Sequence, residues 1–93
     1  MSMIATAIHM KYGCDKSNNL LEIDQIYLLN SQNGWYKKEI IHDYVKSHSN
    51  SITVGTSYGP YVIPAVSVYG EKYVKSSPNN TTVDNLLSLP RKW

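Results

Sequence analysis

The 93-residue chain contains a single cysteine, Cys14. One thiol excludes an internal disulfide, and it cannot by itself form a zinc site of the cysteine type. No apolar run approaches the roughly 18 residues that a membrane-spanning helix requires, and the N-terminus lacks a charged segment followed by an apolar signal core. These absences predict a protein that works in the cytoplasm and has no membrane partner.

Charge of either sign is also sparse. Nine Lys and Arg against seven Asp and Glu give a formal net charge of +2, and the basic residues form no dense stripe. A reader of duplex DNA usually carries such a stripe, so duplex DNA is disfavoured as a partner. The length predicts one domain, residues 1–93, with one core and little room for a deep enclosed active site.

Phenylalanine is absent, whereas the chain has eight Tyr and two Trp. Tyrosine combines an apolar ring with a polar hydroxyl, so it suits either the edge of a core or a binding surface. Core edge is the ordinary interpretation for any single tyrosine in a small domain. The tyrosines of the last third nevertheless stand among lysines, which keeps a binding surface open as an interpretation.

Hydrophobic spacing predicts the order β-β-α-β-β-β. Apolar residues at a period of two indicate strands at about 4–12 and 21–29, which form an antiparallel hairpin; apolar runs bounded by glycine and proline turns indicate further strands at about 52–54, 61–68 and 72–75. Pro64 falls inside the fourth of these, which makes that strand an edge strand or a bulged one. Ile40, Ile41, Tyr44 and Val45 follow a helical period and predict a helix at about 37–47.

This order predicts an α+β fold. We expect a small antiparallel β-sheet of about five strands, with one helix packed on it and a C-terminal leucine-rich tail that closes the core. Leu86, Leu87 and Leu89 are the apolar residues of that tail, and Pro90 stops any helix there. Thr81 or Thr82 is expected to cap a single helical turn before them.

Several short motifs carry a resemblance to a known family. They are Gly34-Trp35, Glu39-Ile40-Ile41, Tyr73-Val74-Lys75-Ser76 and the ending Asp84-Asn85-Leu86-Leu87-Ser88-Leu89-Pro90. From Ile4 to Pro90, the chain resembles the small bacterial and phage proteins catalogued as domain of unknown function 3892. The resemblance implies a fold and a cytoplasmic setting, and it brings no established activity.

The chain departs from that family at the start of the helix. Family members often place Ser or Thr directly after the tryptophan, where its oxygen caps the helix. Here the position is Tyr36, which cannot cap in that way. Asn33 or a water must serve instead, or the helix begins slightly elsewhere.

No catalytic residue, metal ligand or cofactor is predicted. The three histidines, His9, His42 and His48, and Cys14 show neither zinc-site spacing nor a nucleophile–base signature. Asp84-Asn85 are either acid/base or ligand groups or, more simply, residues that bond their own backbone in a turn. The loop at 55–60 is either an anion-binding loop or an ordinary hairpin turn.

The candidate ligand-binding set combines aromatic, basic, carboxylate and amide groups. It comprises Tyr58, Tyr61, Tyr69, Tyr73, Lys75, Asp84 and Asn85. Tyrosine rings stack on nucleobases, and lysine pairs with phosphate. The odd-numbered tyrosines and Lys75 would share one strand face only if Gly70 does not break the register, so ordinary sheet surface stays open as an interpretation.

Two functional hypotheses from different classes follow. The first is a non-enzymatic binding protein of a bacterium or phage, a homo-oligomer that captures a small anionic, nucleotide-like signal in host–phage conflict. The second is a protein–protein adaptor or inhibitor that binds a host protein through an exposed sheet edge. An enzyme ranks below both, because no base, nucleophile and oxyanion group can be named together. The setting would be the host cytoplasm if a phage encodes the protein.

Overall fold

The computed structural model describes residues 3–32, 34–77 and 85–92. The regular elements, in chain order, are β1 (Met3–Met10), β2 (Ile23–Leu29), β3 (Trp35–Lys37), α1 (Lys38–Ser47), β4 (Ile52–Val54), β5 (Val62–Val66) and β6 (Lys72–Ser76). Two 3-10 turns, Leu20–Glu22 and Asn85–Ser88, precede β2 and follow β6. The predicted α+β class is confirmed.

The strands form a four-stranded sheet, in the order β3-β2-β1-β4, and a two-stranded ribbon of β5 and β6. β2 is antiparallel to β1 and β3, whereas β4 is parallel to β1, so the larger sheet is mixed rather than wholly antiparallel. The parallel pair arises because α1 returns the chain to the end of the sheet where β1 begins. β3 was not predicted, since three residues are too few to show an alternating pattern.

Two β-bulges decide which side chains of the central strands face the core. Thr6 is the extra residue in β1, and Asp24 is the extra residue in β2. A bulge breaks the strict alternation of a strand. Ala5 therefore joins Ile8 in the core, while Ile4 and Thr6, which the sequence pattern placed on the same face as Ile8, are only half-buried.

The helix begins at Lys38, directly after β3 and one residue later than predicted. It starts without a serine or threonine cap. Lys37 occupies the cap position and makes no side-chain capping hydrogen bond; Asn33 lies outside the described residues. The buried stripe consists of Lys38, Ile41, His42 and Val45. Ile40 and Tyr44, predicted to face the core, are exposed instead. No helix in the described ranges has the length and apolar composition needed to cross a membrane.

Pro64 lies on the outer edge of the ribbon, which confirms the edge-strand prediction. Backbone hydrogen bonds join Ser77 N–H to Tyr61 C=O at 2.8 Å and Ser67 N–H to Glu71 C=O at 2.9 Å. In an antiparallel ladder, hydrogen-bonded pairs of residues alternate with pairs that are not hydrogen-bonded to each other. Both of these bonds join odd-numbered residues, so the even-numbered residues of β5 belong to the non-bonded pairs. The ring nitrogen of Pro64, opposite Val74, consequently points away from β6 and costs the ribbon no hydrogen bond.

The ribbon crosses the core side of the four-stranded sheet. At one end Thr53 of β4 pairs with Tyr61. At the other end the carboxylate of Glu71 lies 3.1 Å from the ammonium of Lys11, just beyond the end of β1. Val62 and Val74 then complete the cluster of buried side chains formed by the sheet and α1.

The closing tail, residues 85–92, seals this cluster. Leu86 and Leu87 are buried and Leu89 packs against them, which confirms the predicted role of the leucines. The tail then runs beside β1, where Ile8 N–H donates to Pro90 C=O at 2.9 Å and Lys92 N–H donates to Ile8 C=O at 2.8 Å. The proposed caps Thr81 and Thr82 lie outside the described residues.

Replacing Thr53 with valine is expected to stabilise the protein. The side chain is only 3% exposed, and its Oγ1 has no hydrogen-bond partner among the residues that the structure describes. Thr53→Val removes this unsatisfied hydroxyl and keeps the β-branched shape, which should raise the free energy of unfolding by about 1 kcal/mol. Urea denaturation measures the change, with the half-buried Thr6→Val as the matched control; a loss of stability in Thr53→Val would refute the assignment.

Candidate functional site

Three of the predicted ligand-binding residues share one face of the ribbon. Tyr73 lies opposite Ala65 and Lys75 lies opposite Ile63 across the β5–β6 ladder, and Tyr61 directly precedes β5. Since side chains alternate along a strand, these odd-numbered residues point away from the buried Val62 and Val74. We call Tyr61, Tyr73 and Lys75 the ribbon face.

The other predicted residues lie elsewhere. Tyr58 is 98% exposed in the loop before β5, and Tyr69 is 94% exposed in the turn between β5 and β6. Asn85 starts the second 3-10 turn, where its backbone N–H donates to the hydroxyl of the buried Ser76 at 3.4 Å, on the core side of the ribbon. Asp84 lies outside the described residues.

Lys75 differs from the lysine at the other end of its strand. The Lys72 ammonium lies 3.0 Å from the Asp43 carboxylate. Lys75 is exposed and forms no ion pair with any residue in the described ranges. Its charge is therefore available to a ligand, between two tyrosines of the same face.

A second group of side chains lies on the four-stranded sheet, on the side away from the core. His9, Gln25, Trp35 and Lys92 line a cleft of about 250 Å³, which we call the sheet cleft. His9 and Gln25 are direct partners on neighbouring strands. The Trp35 ring is perpendicular to two neighbours, with centroid distances of 5.4 Å to Tyr27 and 6.4 Å to His9.

Gly34 makes this aromatic arrangement possible. Its φ of +81° is a conformation that side-chain-bearing residues rarely adopt, and a Cβ there would lie 2.7 Å from the ring of Tyr27. The glycine therefore lets the chain turn into β3 while Tyr27 stays against Trp35. This explains physically why glycine and tryptophan occur together in the Gly34-Trp35 motif.

The hydrogen bonding of His9 fixes the position of its proton. The Nδ1 atom lies 2.8 Å from the backbone oxygen of Lys92. A carbonyl oxygen only accepts, so Nδ1 must carry the hydrogen, and in the neutral ring Nε2 is an acceptor. The same contact holds the closing tail against the sheet cleft.

An apolar groove lies at the opposite end of the sheet, beside α1. Its volume is about 340 Å³, and its lining includes Met3, Leu28, Tyr36, Ile40 and Tyr44. Asn30, Ser31 and Gln32 supply neutral polar groups at its rim. Within the described ranges, its lining has no carboxylate, histidine, lysine or cysteine.

A cluster of charges ties α1 to β1 and β6. The buried Lys38 ammonium lies 2.9 Å from Glu39 and 3.0 Å from Glu71, and Glu71 also contacts Lys11. Burial alone would lower the pKa of Lys38, but its hydrogen bonds to the two carboxylates outweigh that and raise the pKa. The hydrogen bonds from Lys38 and Lys11 lower the pKa of Glu71. The cluster is fully ion-paired, and we assign it to stability.

Cys14 is held as a protonated thiol. Ser17 donates to one carboxylate oxygen of Glu22, and the Cys14 Sγ donates to the other at 3.0 Å. This hydrogen bond, with a smaller contribution from burial, raises the pKa of Cys14 above its ordinary value. Because the thiolate is the nucleophile, the arrangement disfavours covalent catalysis by this residue.

Among the described residues, no three His, Cys, Asp or Glu side chains are placed to hold a metal ion together.

Sequence reasoning missed the sheet cleft. Its residues come from β1, β2, β3 and the closing tail, so only the strand register brings them together. The one local signal was the Gly34-Trp35 pair, whose aromatic ring lies in the cleft.

Comparison with known proteins supplies a family and no activity. The model of the family described as "Protein of unknown function (DUF3892)" matches residues 6–90. No curated protein and no solved structure matches the chain. The matched region contains both Gly34-Trp35 and the leucine-rich ending, the segments that shape the sheet cleft and seal the core. The chain therefore belongs to the family of proteins of unknown function DUF3892.

Proposed function

We propose that this protein is a non-enzymatic binding protein that captures a small anionic, nucleotide-like ligand on the ribbon face. The observation that supports it is the placement of Lys75, an exposed lysine without an ion pair in the described ranges, on the same face as Tyr61 and Tyr73. A lysine ammonium pairs with phosphate, and a tyrosine ring stacks on a nucleobase.

The proposal includes a homo-oligomer, because one face of a two-stranded ribbon can contact a ligand from one side only. Val68 and Tyr69, in the turn next to it, are each 94% exposed, and Val66 is also exposed. Exposed apolar side chains in a contiguous group are typical of an association surface. A second copy bound there would place two ribbon faces near each other, and a ligand that contacts both would bind more tightly than one face allows.

The proposed setting is the cytoplasm of a bacterium, or of a host infected by a phage that encodes the protein. There it would sequester a nucleotide signal rather than convert it. Sequestration requires affinity and abundance but no reactive group. The hydrogen-bonded Cys14 thiol and the fully paired Lys38 cluster are compatible with this role.

A ligand screen followed by matched variants tests the proposal. We expect at least one member of a panel of AMP, cyclic dinucleotides and ADP-ribose to raise the melting temperature, with about 2.7 kcal/mol of added stability at 100 times its dissociation constant. Lys75→Gln removes a charge-assisted contact and should weaken that ligand about tenfold by calorimetry. Tyr73→Leu should weaken it as well, because it removes the stacking ring.

Lys46→Gln is the matched control, since Lys46 is an exposed lysine of α1 with no ion pair in the described part of the chain. It should leave the affinity unchanged. The proposal fails if no nucleotide shifts the melting temperature, or if Lys46→Gln weakens binding as much as Lys75→Gln does.

The alternative proposal is an adaptor or inhibitor that adds a partner's strand to an exposed sheet edge. The outer edge of β5 is the observation in its favour, yet Pro64 removes one backbone donor from that edge. β3 and β4, the two edges of the larger sheet, are each only three residues long. Ligand capture is therefore the better-supported proposal. A host protein that wild type retains and Val66→Pro loses, in a comparative pull-down, would favour the adaptor instead.

A further inference from the structure

We propose that the sheet cleft is a second, separate binding site, and that it takes a small acidic sugar: a monosaccharide bearing a carboxylate or a phosphate. The site lies on the four-stranded sheet, and the ribbon face contributes no residue to it. The inference goes beyond the proposed nucleotide capture and does not depend on it.

A row of hydrogen-bonding side chains crosses three strands of the sheet. Gln25 is the direct partner of His9 on one side and of Lys37 on the other. Neighbouring strands lie about 5 Å apart, so the three side chains start from the same face of the sheet at about that interval. In the neutral ring His9 Nε2 accepts, the Gln25 amide donates and accepts, and the Lys37 ammonium donates. Such a row matches hydroxyl groups around a sugar ring, because each hydroxyl both donates and accepts.

Trp35 supplies an apolar surface beside this row. The indole is half-buried, and its perpendicular contacts with Tyr27 and His9 limit its motion. A ring that is already fixed loses little conformational freedom when a ligand packs on it. The C–H groups of a sugar ring can pack on the indole while the hydroxyl groups bond to Gln25 and His9.

The local charge selects an acidic sugar over a neutral one. Lys92 lines the cleft and Lys37 flanks it; both are exposed, and neither forms an ion pair with a described residue. Asp24 is the only acidic residue in β1, β2 and β3. An anionic group on the ligand would therefore meet two available cations.

The size of the cleft suits a monosaccharide. Pockets for drug-sized molecules measure about 300–1,000 Å³. The sheet cleft, at about 250 Å³, lies below that range. A sugar ring with one anionic substituent suits this space better than a complete nucleotide does.

Solution NMR of the full chain provides the test. We expect D-glucuronate or glucose 6-phosphate to shift the Trp35 indole N–H and Gln25 amide resonances, saturating at a millimolar dissociation constant, with glucose about tenfold weaker or worse. The two acidic sugars distinguish a carboxylate preference from a phosphate preference. The indole signal is assigned with Trp35→Phe, which should keep most of the affinity because it keeps an aromatic ring; Trp35→Leu should lose it.

Charge variants separate this site from the ribbon face. Lys92→Gln keeps the carbonyl that accepts from His9 and should weaken the acidic sugar about tenfold. Lys75→Gln should leave the sugar affinity unchanged, so the two proposals can fail independently. The inference is overturned if neither acidic sugar shifts these resonances at about 20 mM. It is also overturned if inorganic phosphate binds as tightly as glucose 6-phosphate, or if AMP binds the cleft more tightly than either sugar.

Discussion

Leu86→Ala is expected to lower the free energy of unfolding by about 3–4 kcal/mol. Leu86 is 0% exposed and belongs to the central cluster of buried side chains. Removing it loses the transfer free energy of the side chain and leaves a cavity that the rigid sheet cannot fill. A domain of this size has a total stability of roughly 5–14 kcal/mol, so the loss would be about a fifth of it or more. Urea denaturation followed by tryptophan fluorescence measures the change.

Leu29→Ala is the matched control for this prediction. It makes the same chemical change at a leucine that is 45% exposed, at the end of β2. The cost there should be about 1 kcal/mol or less, because little buried area is lost. Equal losses in the two variants would show that the closing tail does not seal the core.

Lys38→Ala is expected to cost about 3 kcal/mol, the second largest effect. Only 2% of the side chain is exposed, and its ammonium contacts both Glu39 and Glu71. The substitution removes the packing of a long alkyl chain and the cation that balances these carboxylates. Lys46→Ala, in the same helix but at an exposed position, should cost less than about 0.5 kcal/mol.

Lys38→Met separates packing from charge. Methionine restores most of the apolar volume, and the carboxylates of Glu39 and Glu71 are 45% and 39% exposed, so water can solvate them. We expect a loss of about 1 kcal/mol in this variant. A loss in Lys38→Met as large as in Lys38→Ala would assign the whole effect to the charge.

The same cluster predicts the response to acid. For Glu39, burial alone would raise the pKa, but the hydrogen bond from Lys38 helps to lower it below the ordinary value of 4.5. The pKa of Glu71 is also lowered from 4.5. A carboxylate whose pKa is lower in the folded than in the unfolded protein stabilises the folded protein above pH 4.5. This contribution is lost as the pH falls through the pKa of the carboxylate in the folded protein. Denaturation midpoints measured between about pH 7 and pH 3 should therefore fall less in Lys38→Met than in wild type.

Local pattern was sufficient for much of the fold. Alternating or continuous apolar runs predicted every strand except β3, the helical period predicted α1 within one residue at its start, and the leucines predicted the closing tail. Each of these signals is carried by neighbours in sequence. Pro64 also revealed its edge position, because a proline cannot donate to a ladder.

What could not be predicted depends on distant partners. Lys38 reads as an outward-facing residue until Glu71, far along the chain, comes to lie beside it. The bulges at Thr6 and Asp24 depend on pairing between β1 and β2, so the sequence alone gives no sign of them. The sheet cleft exists only once three strands and the closing tail have assembled. The ribbon face was partly predictable, because Gly70 lies in the turn and leaves the β5–β6 register intact.

The pairing of the closing tail with β1 has a consequence for folding on the ribosome. β1 is synthesised well before the closing tail, yet Ile8 receives its backbone partners from Pro90 and Lys92, about eighty residues later. Until those residues emerge, this edge of β1 has open donors and acceptors, and the buried side of the sheet lacks Leu86. Contacts of such long range slow folding and leave strand edges exposed to other chains. The nascent protein should therefore depend on chaperones until the closing tail emerges, and truncation before Leu86 should yield insoluble material.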